Sequence, residues 1–270
     1  MKGDLHVHTN ISDSSYGIEE TLNMAKKNGV THLGIVNHDT VKGLQEAIDM
    51  GNFYNIKVIH GIEISAYDFE NNRKVHILGY NFDLKGKNIK SICDPLLVRR
   101  DENSKWQIKK LIEQGYYLDI QSIKEKARKS GVIYKQHIME ELIEKHYTDK
   151  IYSDLYRRLF KNNGICARDI EYIDVFKAVD AIKKDGGKVV LAHPGQLDSY
   201  GIIDKLVKKG LDGIEINHHD HTEEDRIKIK KIANKFNLIL TGGTDYHGEY
   251  GSLPIEIGDI ESPREYLSSF

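Results

Sequence analysis

Residues 18 to 40 read IEETLNMAKKNGVTHLGIVNHDT. An amphipathic helical pattern runs from Ile18 to Asn28 and stops at Gly29, and the short apolar run from Leu33 to Val36 that follows reads as a buried strand. The same alternation recurs along the chain. Val58 to Ile62, Val75 to Leu78, Val189 to Ala192, Gly213 to Ile216 and Leu238 to Leu240 read as further strands. Val175 to Asp185 before Gly186, and Ile202 to Lys209 before Gly210, read as further helices. A helix between two strands carries the chain back to start the next strand in the same direction, so the pattern predicts parallel strands in a barrel or a wound sheet.

Between about Lys90 and Gly164 the strand signals vanish. Helical segments follow one another there, punctuated by Gly115 and Gly131 and rich in Lys, Arg and Glu, and βα units resume near Asp174. The economical organisation is an α/β domain made of residues 1–89 and 165–270, with residues 90–164 inserted as a helical lobe. A chain of 270 residues with 39% hydrophobic content buries one large core, or one core and a small inserted one. Its 39 basic and 41 acidic residues leave a formal net charge of -2. That balance predicts no membrane partner and no long nucleic acid, while a local basic patch could still serve an anionic substrate. Cys93 and Cys166 lack metal-type spacing and suit a reduced protein, although one disulfide stays open. With no signal-peptide core at Met1 to His6 and no apolar run near the roughly 20 residues that span a bilayer, the expected location is cytoplasmic.

The chemistry is written in the placement of histidines. Thirteen are present, and several follow predicted strand ends, where catalytic loops of parallel α/β sheets gather. His6 and His8 alternate along an extended segment, so their imidazoles share a face and can grip one ion. Asp13 follows in a Ser-Asp-Ser-Ser turn, His38 lies just past Val36, Glu63 ends the next strand, and His76 sits in the run from Val75 to Tyr80. His193 precedes Pro194, and Asp245 and His247 close the set behind the loop Thr241 to Thr244. A single strand histidine is usually a hydrogen-bonded structural residue, and His32, His60 and His146 are read that way. Six histidines and three carboxylates gathered near strand ends would instead crowd like charges and unpaired donors unless cations neutralised them.

Taken in order, Asp4-Leu5-His6-Val7-His8-Thr9, Ser12-Asp13, Asn37-His38-Asp39-Thr40, Gly61-Ile62-Glu63, Ala192-His193-Pro194 and Gly243-Thr244-Asp245-Tyr246-His247-Gly248 resemble the PHP (polymerase and histidinol phosphatase) family. More narrowly the chain resembles the nucleotide phosphatase branch, over nearly its whole length and including the inserted lobe, and the run from Asp212 to Glu224 adds to the match. The resemblance implies a distorted (β/α)7 TIM-like barrel with a trinuclear metal site at the carboxyl ends of its strands. It assigns His6, His8, Glu63 and Asp245 to a first ion, Glu63 as a bridge with His76 and His193 to a second, and Asp13, His38 and His247 to a third. Glu63, His193 and Asp245 become the expected catalytic residues. The family often has Asp before the histidine at position 38, where this chain has Asn37; the implied role there is orientation of the ligands.

Such a site implies two to three divalent ions, with Mn, Fe and Zn equally suited to His and carboxylate ligands. Two ions roughly 3.5 to 4 Å apart can bridge a water, lower its pKa and present hydroxide to phosphorus. The absence of a Gly-rich phosphate loop suits hydrolysis better than ATP use. For substrate, Arg99 and Arg100 open the lobe, Lys135-Gln136-His137 lies where the family often has Arg-Pro-His, and His218 and His221 follow the strand Gly213 to Ile216. The expected reaction is hydrolysis of a phosphate monoester of a small nucleotide, a 5'-monophosphate or a 3',5'-bisphosphate. Histidinol-phosphate hydrolysis, trimming of oligonucleotides from the 5' end, and a non-catalytic metal-binding module are the competing readings.

Overall fold

A computed structural model describes all residues, 1–270. The chain begins β1 (Gly3–Val7), α1 (Ile18–Lys27), β2 (His32–Ile35), α2 (Leu44–Tyr54), β3 (Lys57–Asp68) and β4 (Arg73–Tyr80). Four helices follow without a strand: α3 (Lys87–Glu113), α4 (Ile120–Lys126), α5 (Lys135–Glu144) and α6 (Asp154–Phe160). Alternation then resumes with β5 (Ile173–Asp174), α7 (Val175–Lys184), β6 (Lys188–Leu191), the single turn α8 (Pro194–Leu197), α9 (Ile203–Lys209), β7 (Gly213–Asn217), α10 (Glu223–Phe236) and β8 (Ile239–Gly242).

The sheet runs β1-β2-β3-β4-β6-β7-β8, with the two-residue β5 pairing β3. Beyond β8 the chain returns to β1, where Val7 and Tyr246 form a parallel bridge and His8 N–H donates to the Tyr246 carbonyl at 3.0 Å. The result is a nearly closed seven-stranded barrel, the architecture implied by the family resemblance. Its interior is filled by Leu5, Val36, Ile59, Leu78, Tyr80, Val190 and Ala192, and Leu267 and Phe270 enter from the end where the strands begin. No helix is long and apolar enough to cross a membrane.

The expectation that every strand is parallel fails at one place. β4 is antiparallel to both β3 and β6. The cause is local: β3 continues past Ile62 to Asp68, and only Phe69 to Asn72 separate it from β4. Asp68 Oδ1 accepts the N–H groups of Glu70 (3.1 Å) and Asn71 (3.2 Å), a side-chain turn that reverses the chain. A parallel return needs a crossover of about a dozen residues or more. Glu63 therefore sits inside a strand, not at its end.

The long helix α3 joins two cores. Ile89, Cys93 and Leu96 belong to the cluster that packs helices on the barrel, whereas Ile108 and Leu111 join Ile123, Ile138, Leu142, Leu155 and Leu159 in a separate helical core. The two cysteines are buried and free, one in each cluster.

Close approach within the barrel needs glycine at Gly34 in β2. The β1–β2 register shifts between Asp4 and Val7, and the Leu5 carbonyl accepts the Tyr80 hydroxyl at 2.6 Å. A Cβ on residue 34 would lie 2.4 Å from that carbonyl oxygen, and backbone cannot swing aside as a side chain can. Gly34→Ala should therefore destabilise by about 1 to 3 kcal/mol, a drop in melting temperature of roughly 2 to 4 °C per kcal/mol. Thermal denaturation checks this, and an unchanged melting temperature would sink the close-approach argument.

Candidate metal centre

The rim of the barrel at the strand carboxyl ends gathers the expected side chains. β1 delivers His6 and, one residue past its end, His8; the loop behind it carries Asp13. His38 follows β2 and forms an isolated parallel bridge with Glu63 of β3. Ser65 pairs with His76 and Glu63 with Leu78 across the antiparallel ladder. Glu63 and His76 are thus diagonal neighbours on one face, within reach of a long side chain. His193 follows β6, and Asp245 and His247 follow β8.

Glu63 is the centre of the arrangement. Its Oε1 lies 2.8 Å from His76 Nδ1 and 2.9 Å from His193 Nε2. Its Oε2 lies 3.1 Å from His8 Nε2, 3.2 Å from His6 Nε2 and 3.4 Å from His38 Nε2. Asp245 Oδ1 faces the same two nitrogens of His6 and His8, at 3.2 and 3.1 Å. Asp13 Oδ2 stands 3.5 Å from His247 Nε2 and 3.9 Å from His38 Nε2. Three groups of donor atoms result, each mutually within 4.8 Å: His6, His8, Glu63 and Asp245; His8, Asp13, His38 and His247; His38, Glu63 and His76.

Burial alone would push these carboxyls up, yet the imidazoles of His38, His6 and His76 and the hydrogen bond with His193 hold Glu63 well below the usual carboxylate range. Asp245 is held down in the same way by His6 and His247. Several donors nevertheless lack a hydrogen-bond partner although buried, among them His8 Nε2, Asp13 Oδ1 and Asp245 Oδ1. Buried polar atoms are ordinarily paired, so orphaned lone pairs pointing at one another fit divalent cations between them.

A surrounding layer fixes the donors. Glu215 of β7, which the sequence reading did not single out, is fully buried; Oε1 lies 3.1 Å from His6 Nδ1, and Oε2 accepts the His193 N–H at 2.8 Å. A carboxylate on the far nitrogen sets which nitrogen of His6 faces inward. A charged residue in the middle of a buried strand, Gly213-Ile-Glu-Ile-Asn217, was the available signal. Asn37 Oδ1 accepts from Thr9 N (2.8 Å), Thr9 Oγ1 (3.1 Å) and Ser12 Oγ (3.1 Å), organising the loop that presents Asp13. Burial pushes Asp4 up to about 6 against hydrogen bonds from Thr244, Gly258 and His6, and its carboxylate ties β1 to the loop after β8. Asp39, His193 and Asp245 all adopt positive φ (58°, 21° and 52°), a strain that non-glycine residues sustain where surrounding structure enforces it.

A cavity of about 230 Å³ abuts this centre, lined by Asp13, His38 and His76 together with Lys74, Arg100 and Lys135. Arg100 is committed to Asp39 (2.6 Å) and Ser65 Oγ (3.1 Å). His218 borders the centre, its Nε2 3.3 Å from Asp245 Oδ2. The other three basic residues assigned to substrate have different partners. Arg99 Nε donates to the Glu171 carbonyl at 3.0 Å, because it leaves α3 about 100° around the helix from Arg100. His137 is buried and caps its helix, Nδ1 accepting the Tyr134 N–H at 3.1 Å, with burial taking it down to about 4. His221 spends Nδ1 on the Ile216 carbonyl (2.8 Å) and Nε2 on the Gly195 N–H (3.2 Å), so it braces two loops. Gln136 lies in the stretch singled out with Lys135, whereas Lys74, Tyr152, Tyr156 and Tyr172, which also line the cavity, escaped the sequence reading because they come together only in the fold. His60 Nε2 donates to the Phe82 carbonyl at 2.8 Å, the structural role expected of it.

Comparison with known proteins agrees with this geometry. The PHP domain signature matches residues 4–173. A phosphoribosyl 1,2-cyclic phosphate 1,2-diphosphodiesterase of Eggerthella lenta is 47% identical over 254 residues, covering 94% of this chain and 97% of that protein. A 5'-3' exoribonuclease of Haemophilus influenzae is 28% identical, covering 95% and 93% of the two chains. A crystal structure from Bifidobacterium adolescentis, described as a candidate metal-dependent phosphoesterase, superposes with a TM-score of 0.91 at 25% identity, covering 99% of this chain and 94% of that one. Matched across most of its length by the signature and along nearly all of it by these relatives, the chain belongs to the PHP family.

Proposed function

We propose that the chain hydrolyses phosphate esters of a small phosphorylated ribose or nucleotide, with two to three divalent ions held by His6, His8, Asp13, His38, Glu63, His76, His193, Asp245 and His247. The observation that carries this reading is the buried imidazole and carboxylate set around Glu63, opening on a cavity lined by Lys74, Arg100 and Lys135. Mn, Fe or Zn ions bound there would supply an activated water and draw off charge from the phosphoryl oxygens.

The protein's own groups have separable tasks. Glu63 offers one oxygen to His76 and His193 and the other to His6, His8 and His38, which suits it to bridge two ions. Asp245 faces the first of these sets and is positioned by His218. His193, whose backbone is strained and whose N–H is fixed by Glu215, presents Nε2 to the bridge. Glu63, His193 and Asp245 are the groups assigned to the reaction, and their burial at the barrel rim supports that assignment.

The likeness to the Eggerthella protein, spread over nearly the whole of both chains, supports a cyclic phosphodiester of ribose as substrate; it shares a ribose phosphate core with the 5'-monophosphates and 3',5'-bisphosphates expected from the sequence. Trimming of RNA from the 5' end is the second reading, favoured by the likeness to the Haemophilus exoribonuclease. The formal net charge of -2 gives no general attraction for a long strand.

Metal-loaded protein should cleave members of a panel comprising phosphoribosyl 1,2-cyclic phosphate, a nucleoside 5'-monophosphate, a 3',5'-bisphosphate, histidinol phosphate and a 5'-phosphorylated oligoribonucleotide, with the cyclic ester the best substrate. Cleavage of none of them would refute the enzymatic reading. Elemental analysis should find two to three divalent ions per chain, and at most one would rule out a multinuclear centre. Glu63→Gln keeps the shape but removes the anion between cations, so turnover should fall about 100-fold or more while the fold persists. Near-normal turnover with unchanged circular dichroism would exclude Glu63 as the bridge.

A further inference from the structure

The nine proposed ligands divide by what holds them in place. His6, Glu63 and His76 stand within strands, and the groups that brace the ligands around Glu63 come from the barrel: Glu215 meets His6 Nδ1 (3.1 Å) and the His193 N–H (2.8 Å), and His218 meets Asp245 (3.3 Å). Asp13, His38 and His247 lie instead on three loops, those after β1, β2 and β8, and one helix reaches all three. Tyr134, the N-cap of α5, donates its hydroxyl to the His38 carbonyl at 3.1 Å. Gln136 Nε2 donates to Asp13 Oδ2 at 3.1 Å. Glu140 accepts the hydroxyl of Tyr250, three residues past His247. Gln136 and Glu140 are four apart, so they share the face of α5 that looks onto the rim.

The grip is firm at both ends. Tyr250 leaves the barrel and buries its ring in the core of the helices, the cluster that holds Ile138 and Leu142 of α5, with its centroid 6.2 Å from that of His137. The loops of Asp13 and His247 are also tied to each other: the Ser15 N–H donates to the His247 carbonyl at 3.3 Å, and Ser15 Oγ accepts the Glu249 N–H at 2.9 Å. α5 therefore seizes two joined loops, Gln136 at the Asp13 end and Glu140 at the Tyr250 end, while Tyr134 takes the third loop. Asp13 Oδ1 is buried without a hydrogen-bond partner. Gln136 thus fixes one oxygen of that carboxylate and leaves the other free for a cation, the arrangement by which an outer partner orients a metal ligand.

We propose that α5 is a clamp on one cation of the centre: the site made by Asp13, His38 and His247 holds its divalent ion tightly only while α5 is seated on the rim, whereas the sites around Glu63 depend on the barrel alone. This rests on the multinuclear reading above and adds to it a site whose affinity the helices set. A displacement of α5 withdraws Tyr134, Gln136 and Glu140 together, so three loop ligands lose their alignment in one movement, while His6, Glu63 and His76 keep their strand positions. The coupling is reciprocal, since whatever free energy the seating of α5 adds to binding of the cation, the cation adds to the seating of α5. Supply of the divalent ion then governs how firmly the helices close on the rim.

Dialysis of fully loaded protein against graded free Mn(II), with elemental analysis at each step, gives the affinity of each ion in turn. Wild type should hold three ions, and Gln136→Leu and Tyr250→Phe should each weaken one of them roughly 10- to 100-fold while the other two stay unchanged. Glu140→Gln, which keeps an oxygen to accept the Tyr250 hydroxyl, should bind as wild type does. Amide hydrogen exchange in α5 should slow when the last ion enters wild type, and slow less in Tyr250→Phe. Equal weakening of all three ions would make these contacts part of the general scaffold and overturn the clamp. So would unchanged affinities in both variants, exchange in α5 that ignores the last ion, or a wild type that holds fewer than three. Hydrolysis is read separately: a wild type that holds three ions and cleaves no ester refutes the phosphoesterase reading, and the dialysis still decides the clamp.

Discussion

Glu63 holds two carboxylate oxygens among five imidazole nitrogens, none farther than 3.4 Å, in a place almost without solvent. With the His6 proton drawn to Nδ1 by Glu215, its Nε2 lone pair faces Glu63 Oε2, on which His8 and His38 also converge. Protonating every ring would relieve that only by burying several like charges together, which low dielectric forbids. Divalent cations resolve both difficulties, and much of the nearby structure follows from the need to present the rings in the right sense. Glu215 fixes His6 from behind and His193 through its backbone. Asn37 gathers three donors to set the loop that carries Asp13. Strained backbone at Asp39, His193 and Asp245 is tolerated because these contacts over-determine it.

The reversed strand gives the centre its depth. In a wholly parallel barrel, functional side chains come from strand ends and the loops beyond them. The β3–β4 hairpin instead extends past the rim, so that Glu63 and His76 arrive from mid-strand, on rigid ladder positions. The same extension reaches the helical segment. Ala66 pairs with Ile173 of β5 where that segment rejoins the barrel, and Ser65 receives Arg100 at its hydroxyl and offers its N–H to Asp39 at 2.7 Å. One hairpin therefore supplies the bridging carboxylate, one imidazole and the floor on which the helices rest.

How much of this was legible follows from how far apart the informative residues lie. His6-Val-His8 announces itself, since alternation along a strand places both rings on one face whatever the fold, and the order of the remaining motifs was enough to name a family. The barrel follows from alternation of period-two and helical patterns. The antiparallel strand was hidden because β3 is twelve residues long and its last third, Ser65 to Asp68, is less apolar than the run before it; the turn residues Glu70, Asn71 and Asn72 were the missed cue. Among basic residues the sequence could not separate Arg99 from its neighbour Arg100, since adjacent helical positions differ by about 100° in direction, and only packing decides which faces the cavity. Lys74 was invisible for a related reason: its partners Asp169 and Tyr172 stand nearly a hundred residues away.

Arg100 explains why the helices belong to the site and are more than a cover. It lies on α3 between Leu96, which packs in the barrel core, and Ile108, which packs in the helical core. Its guanidinium meets Asp39, the residue after His38, with the carboxylate fully buried and the guanidinium mostly so. Burial opposes its charge, and Asp39 more than restores it, leaving it raised above the usual guanidinium range. Removing one partner of a buried pair strands the other at a cost of about 3 to 5 kcal/mol. Tilting α3 enough to open the cavity wide would do the same by separation. The pair therefore couples the position of the helices to the loop bearing His38, and the cavity is formed before substrate enters. Tyr134 reinforces the coupling, its ring under the Arg100 guanidinium at 5.1 Å and its hydroxyl donating to the His38 carbonyl at 3.1 Å. Since Tyr134 immediately precedes Lys135, the contact that anchors His38 also sets the start of α5, and with it Lys135 in the cavity lining.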